Sequence, residues 1–88
     1  MMYIILCYDV GAERVNRMHK TVKKYLHPVQ RSVLEGNITD SAMQRMKREI
    51  AEIIDPEKDA VAIYRCAAAK DIVMEQIGVT KERDAQFL

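Results

Sequence analysis

Apolar residues open the chain almost without a break, from Tyr3-Ile4-Ile5-Leu6-Cys7 to Tyr8, and the run ends at Asp9 and Gly11. A run this short, rich in β-branched and aromatic side chains and bounded by turn residues, predicts a central strand over residues 2–8. The pattern then changes period. Val15, Met18, Val22, Tyr25 and Leu26 follow steps of three, four, three and one, which is one face of a helix over 12–26. His27-Pro28 ends it, because the residue before proline avoids the α region. Residues 29–35 predict a strand, broken or folded into a tight hairpin near Ser32, and Gly36-Asn37 signals a turn. Thr39 is placed as an N-cap with Asp40 at the positive helix end. Met43, Met46, Ile50, Ile53 and Ile54 repeat the helical spacing and stop before Asp55-Pro56. Alternation around Val61, Ile63 and Tyr64 predicts a strand over 59–66, and Ile72 to Val79 a further one. Residues 80–88 form a polar tail.

Two helices can cover one face of a four-stranded sheet. The first strand is nonetheless apolar on both faces, with Tyr3, Ile5 and Cys7 on one and Ile4, Leu6 and Tyr8 on the other. The second face needs a lid, and another copy of the chain is the simplest one, since closed two-fold dimers are the commonest oligomers. At 88 residues the chain is one domain, taken as 1–79 with the tail at 80–88, and a core this thin benefits from a partner. Hydrophobic residues at 49% and charged residues at 31% fit a soluble globular class. The longest apolar run is too short to span a membrane, and it lacks the basic leader and cleavage site of a signal peptide. Two cysteines, Cys7 and Cys66, cannot build a disulfide framework or a zinc cluster. Both are read as reduced core residues of a cytoplasmic protein.

Charge changes the picture along the chain. Residues 1–31 carry six bases and two acids, residues 32–59 four bases and seven acids, and the remainder balances. A basic first helix is either a solvated face or a polyanion footprint. Asp9 is the leading chemical candidate, because functional residues collect at the ends of buried strands. It serves either as a turn or cap aspartate or as a ligand for a hard cation such as Mg²⁺, which uses one or two carboxylates with water and phosphate. In a two-fold dimer a second Asp9 would be supplied by symmetry. His19 is expected on the helix surface and His27 in the turn, neither at metal-ligand spacing. Arg31 and Ser32 could contact phosphate or simply occupy an edge strand.

The segments Tyr3 to Val10, the Arg14/Arg17 helix start, Val29-Gln30-Arg31-Ser32-Val33-Leu34-Glu35-Gly36, and Asp55-Pro56-Glu57-Lys58-Asp59 running into Val61-Ala62-Ile63-Tyr64 together resemble the small CRISPR-associated endoribonuclease family. The match covers residues 2–66, and Gln76-Ile77-Gly78-Val79 resembles a C-terminal strand of one branch. The resemblance implies an α+β, ferredoxin-like βαββαβ fold with an added C-terminal strand that packs across a homodimer whose two sheets face each other. It implies a metal-dependent nuclease acting on RNA or double-stranded DNA, working with the CRISPR integrase in spacer acquisition. Asp9 matches the family's metal-binding and catalytic aspartate, with Mg²⁺ shared between two copies. Tyr8, Arg14, Arg17, Arg31 and Ser32 are carried over as nucleic-acid contacts. A non-catalytic, DNA-bridging scaffold is the alternative role. Three features depart from the pattern: the Gly11–Arg17 segment is less basic and about one residue short, Leu34 stands where an aromatic is usual, and the second and third strands show no clear hairpin turn.

Overall fold

The computed structural model describes residues 1–66 and 72–79. The elements run β1 (Met2–Asp9), α1 (Ala12–Val22), β2 (His27–Gln30), β3 (Val33–Ile38), α2 (Asp40–Ile53), β4 (Ala60–Cys66) and β5 (Ile72–Gly78). All five strands join one sheet in the order β2-β3-β1-β4-β5. Every neighbouring pair is antiparallel, with Leu6 opposite Leu34 on one side and Ile63 on the other. This is the expected ferredoxin-like βαββαβ arrangement with one additional strand.

Strand alternation sorts the side chains. Ile4, Leu6 and Tyr8 point to the helix side, where they meet Leu34, Ile38, Val61 and Ile63 from the adjacent strands. Met18 and Val22 of α1 and Met43, Met46, Ile50 and Ile53 of α2 close that side, all nearly or fully buried. Burying each such side chain contributes roughly 1.5–3 kcal/mol, so this single layer accounts for most of the favourable term. Thr39 caps α2, its hydroxyl accepting from the Ala42 N–H at 3.1 Å. The helices are further joined at Glu49, which pairs with Lys24 at 2.5 Å and accepts from the Tyr25 hydroxyl.

Among the described residues the opposite face carries no helix. Tyr3, Ile5, Cys7, Val33, Ala62, Tyr64 and Cys66 lie there half-buried, and Met74 is exposed. The expectation that Cys7 and Cys66 belong to the core is corrected by their strand parity. Odd positions of β1 and even positions of β4 face away from the helices, so both thiols lie on the uncovered face.

One helix end differs from the sequence pattern, and the strand pairing fills in two further segments. The first helix stops at Val22, four residues early: the Lys23 N–H still reaches His19, but the Lys24 N–H reaches back only to Thr21 and the Tyr25 N–H only to Val22. That tighter turn still delivers Tyr25 and Leu26 to the core. The stretch over 29–35, expected as a strand broken or folded into a hairpin near Ser32, is folded: two strands turn about Arg31-Ser32, with Gln30 opposite Val33. Ser32 adopts a left-handed φ of 64°, and its carbonyl accepts from the Tyr8 N–H at 3.0 Å, which anchors the turn to the end of β1. Finally, β5 pairs with β4 of the same chain, from Ala60 opposite Gly78 to Cys66 opposite Ile72. The predicted tail at 80–88 lies outside the described residues, as does the link at 67–71. Among the described residues no helix is long and apolar enough to cross a membrane.

Candidate functional site

Asp9 is the last residue of β1 and is exposed. It stands opposite Ala60 on β4. Alternation puts it on the side of Tyr3, Ile5 and Cys7, so it sits at the edge of the uncovered apolar face. Tyr8, one residue earlier, points to the helices. The two neighbours therefore serve opposite sides of the sheet.

The loop after Asp9 is held by a buried carboxylate that the sequence pattern did not single out. Asp59, only 1% exposed, accepts four hydrogen bonds: from the Gly11 N–H at 2.9 Å, the Asp55 N–H at 2.8 Å, and Arg14 Nε and Nη2 at 2.6 and 2.9 Å. The Arg14 guanidinium, aided by the two backbone donors, holds the Asp59 carboxyl well below the usual carboxylate range. Bidentate pairing suits a planar guanidinium, and Glu13 adds a second ion pair at 3.3 Å. The Asp59 carbonyl in turn accepts from the Val79 N–H at 2.7 Å. One residue thus ties the β1–α1 loop, the α2–β4 loop and the end of β5 together. The available signal was an acid directly preceding the apolar run Ala60-Val61, after an Asp-Pro turn.

A cleft of about 480 Å³ opens between α1 and the β2–β3 turn. It is lined by Tyr8, Val15, Asn16, His19, Lys20, Arg31 and Ser32. Among the described residues no acidic side chain lines it. Three of the expected contact residues, Tyr8, Arg31 and Ser32, are thereby brought together. Two others are not: Arg14 is committed to Asp59, and Arg17 is exposed elsewhere on α1. His19, expected on the helix surface, is half-buried, with its Nδ1 3.1 Å from the Tyr8 hydroxyl. It lies between Met18 and Val22 at the border of the apolar stripe, which is the pattern that marks it. Burial pushes the Tyr8 phenol up, and a hydrogen bond with the Ser32 side chain partly offsets this. His27 begins β2 and is exposed.

The donor set bears on the expected cation. Among the described residues no group of three His, Cys, Asp or Glu side chains converges on one point. Asp9 brings one hard oxygen ligand per chain. That set fits Mg²⁺ where a second copy brings its own Asp9 alongside, with water and phosphate oxygens completing the shell.

Comparison with known proteins agrees with this geometry. Residues 1–72 match the family model described as CRISPR associated protein Cas2. The CRISPR-associated endoribonuclease Cas2 of Dictyoglomus turgidum is 40% identical over 87 residues, covering 99% of this chain and 100% of its own length. Its namesake from Thermococcus kodakarensis is 50% identical over 64 residues, 73% of this chain and 75% of its own. A Cas2 crystal structure superposes with a TM-score of 0.73 at 36% identity, over 92% of this chain and 91% of the other. With the five-stranded sheet, the strand-end aspartate and these matches, the chain belongs to the CRISPR-associated Cas2 family.

Proposed function

We propose that two copies of this chain form a metal-dependent endonuclease that hydrolyses phosphodiester bonds in RNA or double-stranded DNA, acting with the CRISPR integrase in spacer acquisition in the cytoplasm. The observation that carries this reading is the position of Asp9, exposed at the end of a buried strand and at the edge of an apolar face that no helix among the described residues covers. The endoribonuclease names of the relatives point to the same chemistry. Facing sheets would bring the two Asp9 carboxylates towards the two-fold axis, where they would hold one Mg²⁺. The ion, when bound, supplies polarisation of a phosphate oxygen and a more acidic water.

The remaining work falls to side chains of the chain itself. Arg31 and Ser32 at the β2–β3 turn and Arg17 on α1 orient the phosphate backbone. Such contacts carry little sequence information, so weak sequence preference is expected. Tyr8 supports Ser32 from below and does not touch the scissile bond. Arg14 is assigned to holding the loop through Asp59. A bridging role without catalysis is the second reading, favoured by the lone carboxylate that each chain contributes.

The test is cleavage of single-stranded RNA and duplex DNA with Mg²⁺, using wild type and Asp9→Asn purified identically and checked for dimerisation. Cleavage by wild type that is lost in the variant and in chelator is the expected result. Equal cleavage by both proteins would refute the role of Asp9. Salt-sensitive DNA binding without cleavage would establish the bridging role instead.

A further inference from the structure

The cleft beside the β2–β3 turn has a composition that the Asp9 chemistry does not require. Two cations, Lys20 from α1 and Arg31 from the turn, line it, and among the described residues no carboxylate does. Among the described residues neither cation forms an ion pair. Between them the Tyr8 hydroxyl lies 3.1 Å from His19 Nδ1, and Ser32 and the Asn16 amide line the same cleft, so hydroxyl, imidazole and amide groups stand beside the two cations. Such a set selects an oxyanion.

We propose that this cleft binds a phosphate of a nucleic-acid backbone, with His19 and Lys20 as contacts additional to Arg31 and Ser32. It lies on the helix side of the sheet, whereas Asp9 belongs to the opposite side. A strand seated here is therefore gripped away from the bond to be cut. The cleft is open, so the phosphate stays joined to a chain running past, and the apolar wall at Val15 meets sugar carbons. The residues act as positioning residues, which sets substrate affinity and leaves the chemical step to Asp9. The inference rests on the reading of the chain as a nucleic-acid-binding protein.

The test joins two measurements on the full-length chain. His19 ring signals are followed by NMR during titration with inorganic phosphate. Binding of RNA and duplex DNA is measured against salt for wild type, His19→Gln and Lys20→Gln. Phosphate is expected to shift the His19 signals. Lys20→Gln is expected to flatten the salt slope by about one contact. His19→Gln is expected to weaken binding about tenfold, raising KM with little change in kcat. Lys20 is exposed, so its substitution leaves folding intact even if His19→Gln does not. Nucleic-acid binding by wild type with unmoved His19 signals and an unchanged Lys20→Gln slope overturns the cleft and leaves the proposed function standing. Movement of His19 by phosphate in a protein that binds no nucleic acid keeps the anion site and overturns its backbone ligand together with the functional reading. An adventitious ion only is the outcome if phosphate moves His19 while both variants bind nucleic acid as wild type does, and it too overturns the proposal.

Discussion

Replacing Asp59 by alanine removes the acceptor of four hydrogen bonds from a site that is 1% exposed. Two of the donors are the backbone N–H groups of Gly11 and Asp55, which lose this acceptor once the carboxylate is gone. Leaving one buried group unsatisfied costs about 1–3 kcal/mol, and removing one partner of a buried ion pair about 3–5 kcal/mol. The Arg14 side chain is 20% exposed and keeps Glu13, so water and that carboxylate recover part of the loss. The lower end of the range applies, about 3 kcal/mol, a large share of the 5–15 kcal/mol typical of a domain. With a urea m-value near 1 kcal/mol/M for so small a domain, the midpoint should fall by about 3 M. The assay is urea unfolding by circular dichroism at one fixed protein concentration, since dimerisation shifts the midpoint. A loss below about 1 kcal/mol would refute the hub as the support of the loop. The double variant Arg14→Met/Asp59→Leu should recover much of the loss, because it leaves no unpaired charge. The pH dependence follows from the depressed folded-state value of Asp59. Its stabilisation is complete above the unfolded carboxylate value of about 3.9 and declines only as pH falls from there through the folded value. Wild type should therefore keep this contribution at pH 5, and the wild-type advantage over Asp59→Ala should shrink below pH 4, a comparison that urea midpoints at several pH values settle.

Gly78→Ala should destabilise by about 1–3 kcal/mol, since a Cβ there would lie 2.1 Å from the Asp59 carbonyl oxygen and φ is +92°. Amide hydrogen exchange should show the Val79–Asp59 bond opening in the same variant. Met46→Ala, at a fully buried position between α2 and the sheet, should cost about 2–5 kcal/mol by urea unfolding, and a loss under about 1 kcal/mol would mean the helix side is loosely packed. Burial raises the Cys7 thiol, so Cys7 should alkylate several-fold more slowly than a free cysteine at pH 8, and dilution that separates copies should speed it; equal rates would place Cys7 in open solvent.

The period of the apolar residues carried most of the fold. Met18 and Val22, or Met46 and Ile50, could only share a face if helical, and both faces of β1 read as apolar because one meets the helices and the other is left half-buried among the described residues. Boundaries failed where local chemistry and packing diverge. Tyr25 and Leu26 keep the helical spacing yet reach the core from a tighter turn. The hairpin at Arg31-Ser32 has no glycine, because Ser32 takes the left-handed conformation itself, so no residue type announced the turn. The site divides in the same way. Asp9 was legible from its place at a strand end. Arg14 was legible as a cation but not as a structural one, because its partner Asp59 is 45 residues away in sequence and only the folded loops bring them together. His19 was hidden by its helix, where one imidazole at the border of an apolar stripe looks like surface until Tyr8 is placed beneath it.

The most direct test of a metal shared between two Asp9 carboxylates is a subunit-mixing titration. Wild type and Asp9→Asn chains are denatured together, refolded at varied ratios, and assayed for Mg²⁺-dependent cleavage of single-stranded RNA and duplex DNA. If both carboxylates are required, only dimers with two wild-type chains cut. Activity then falls as the square of the wild-type fraction, to about one quarter at equal mixing. A linear fall to about one half would show each Asp9 working alone, and activity unchanged across the series would remove Asp9 from the chemistry altogether.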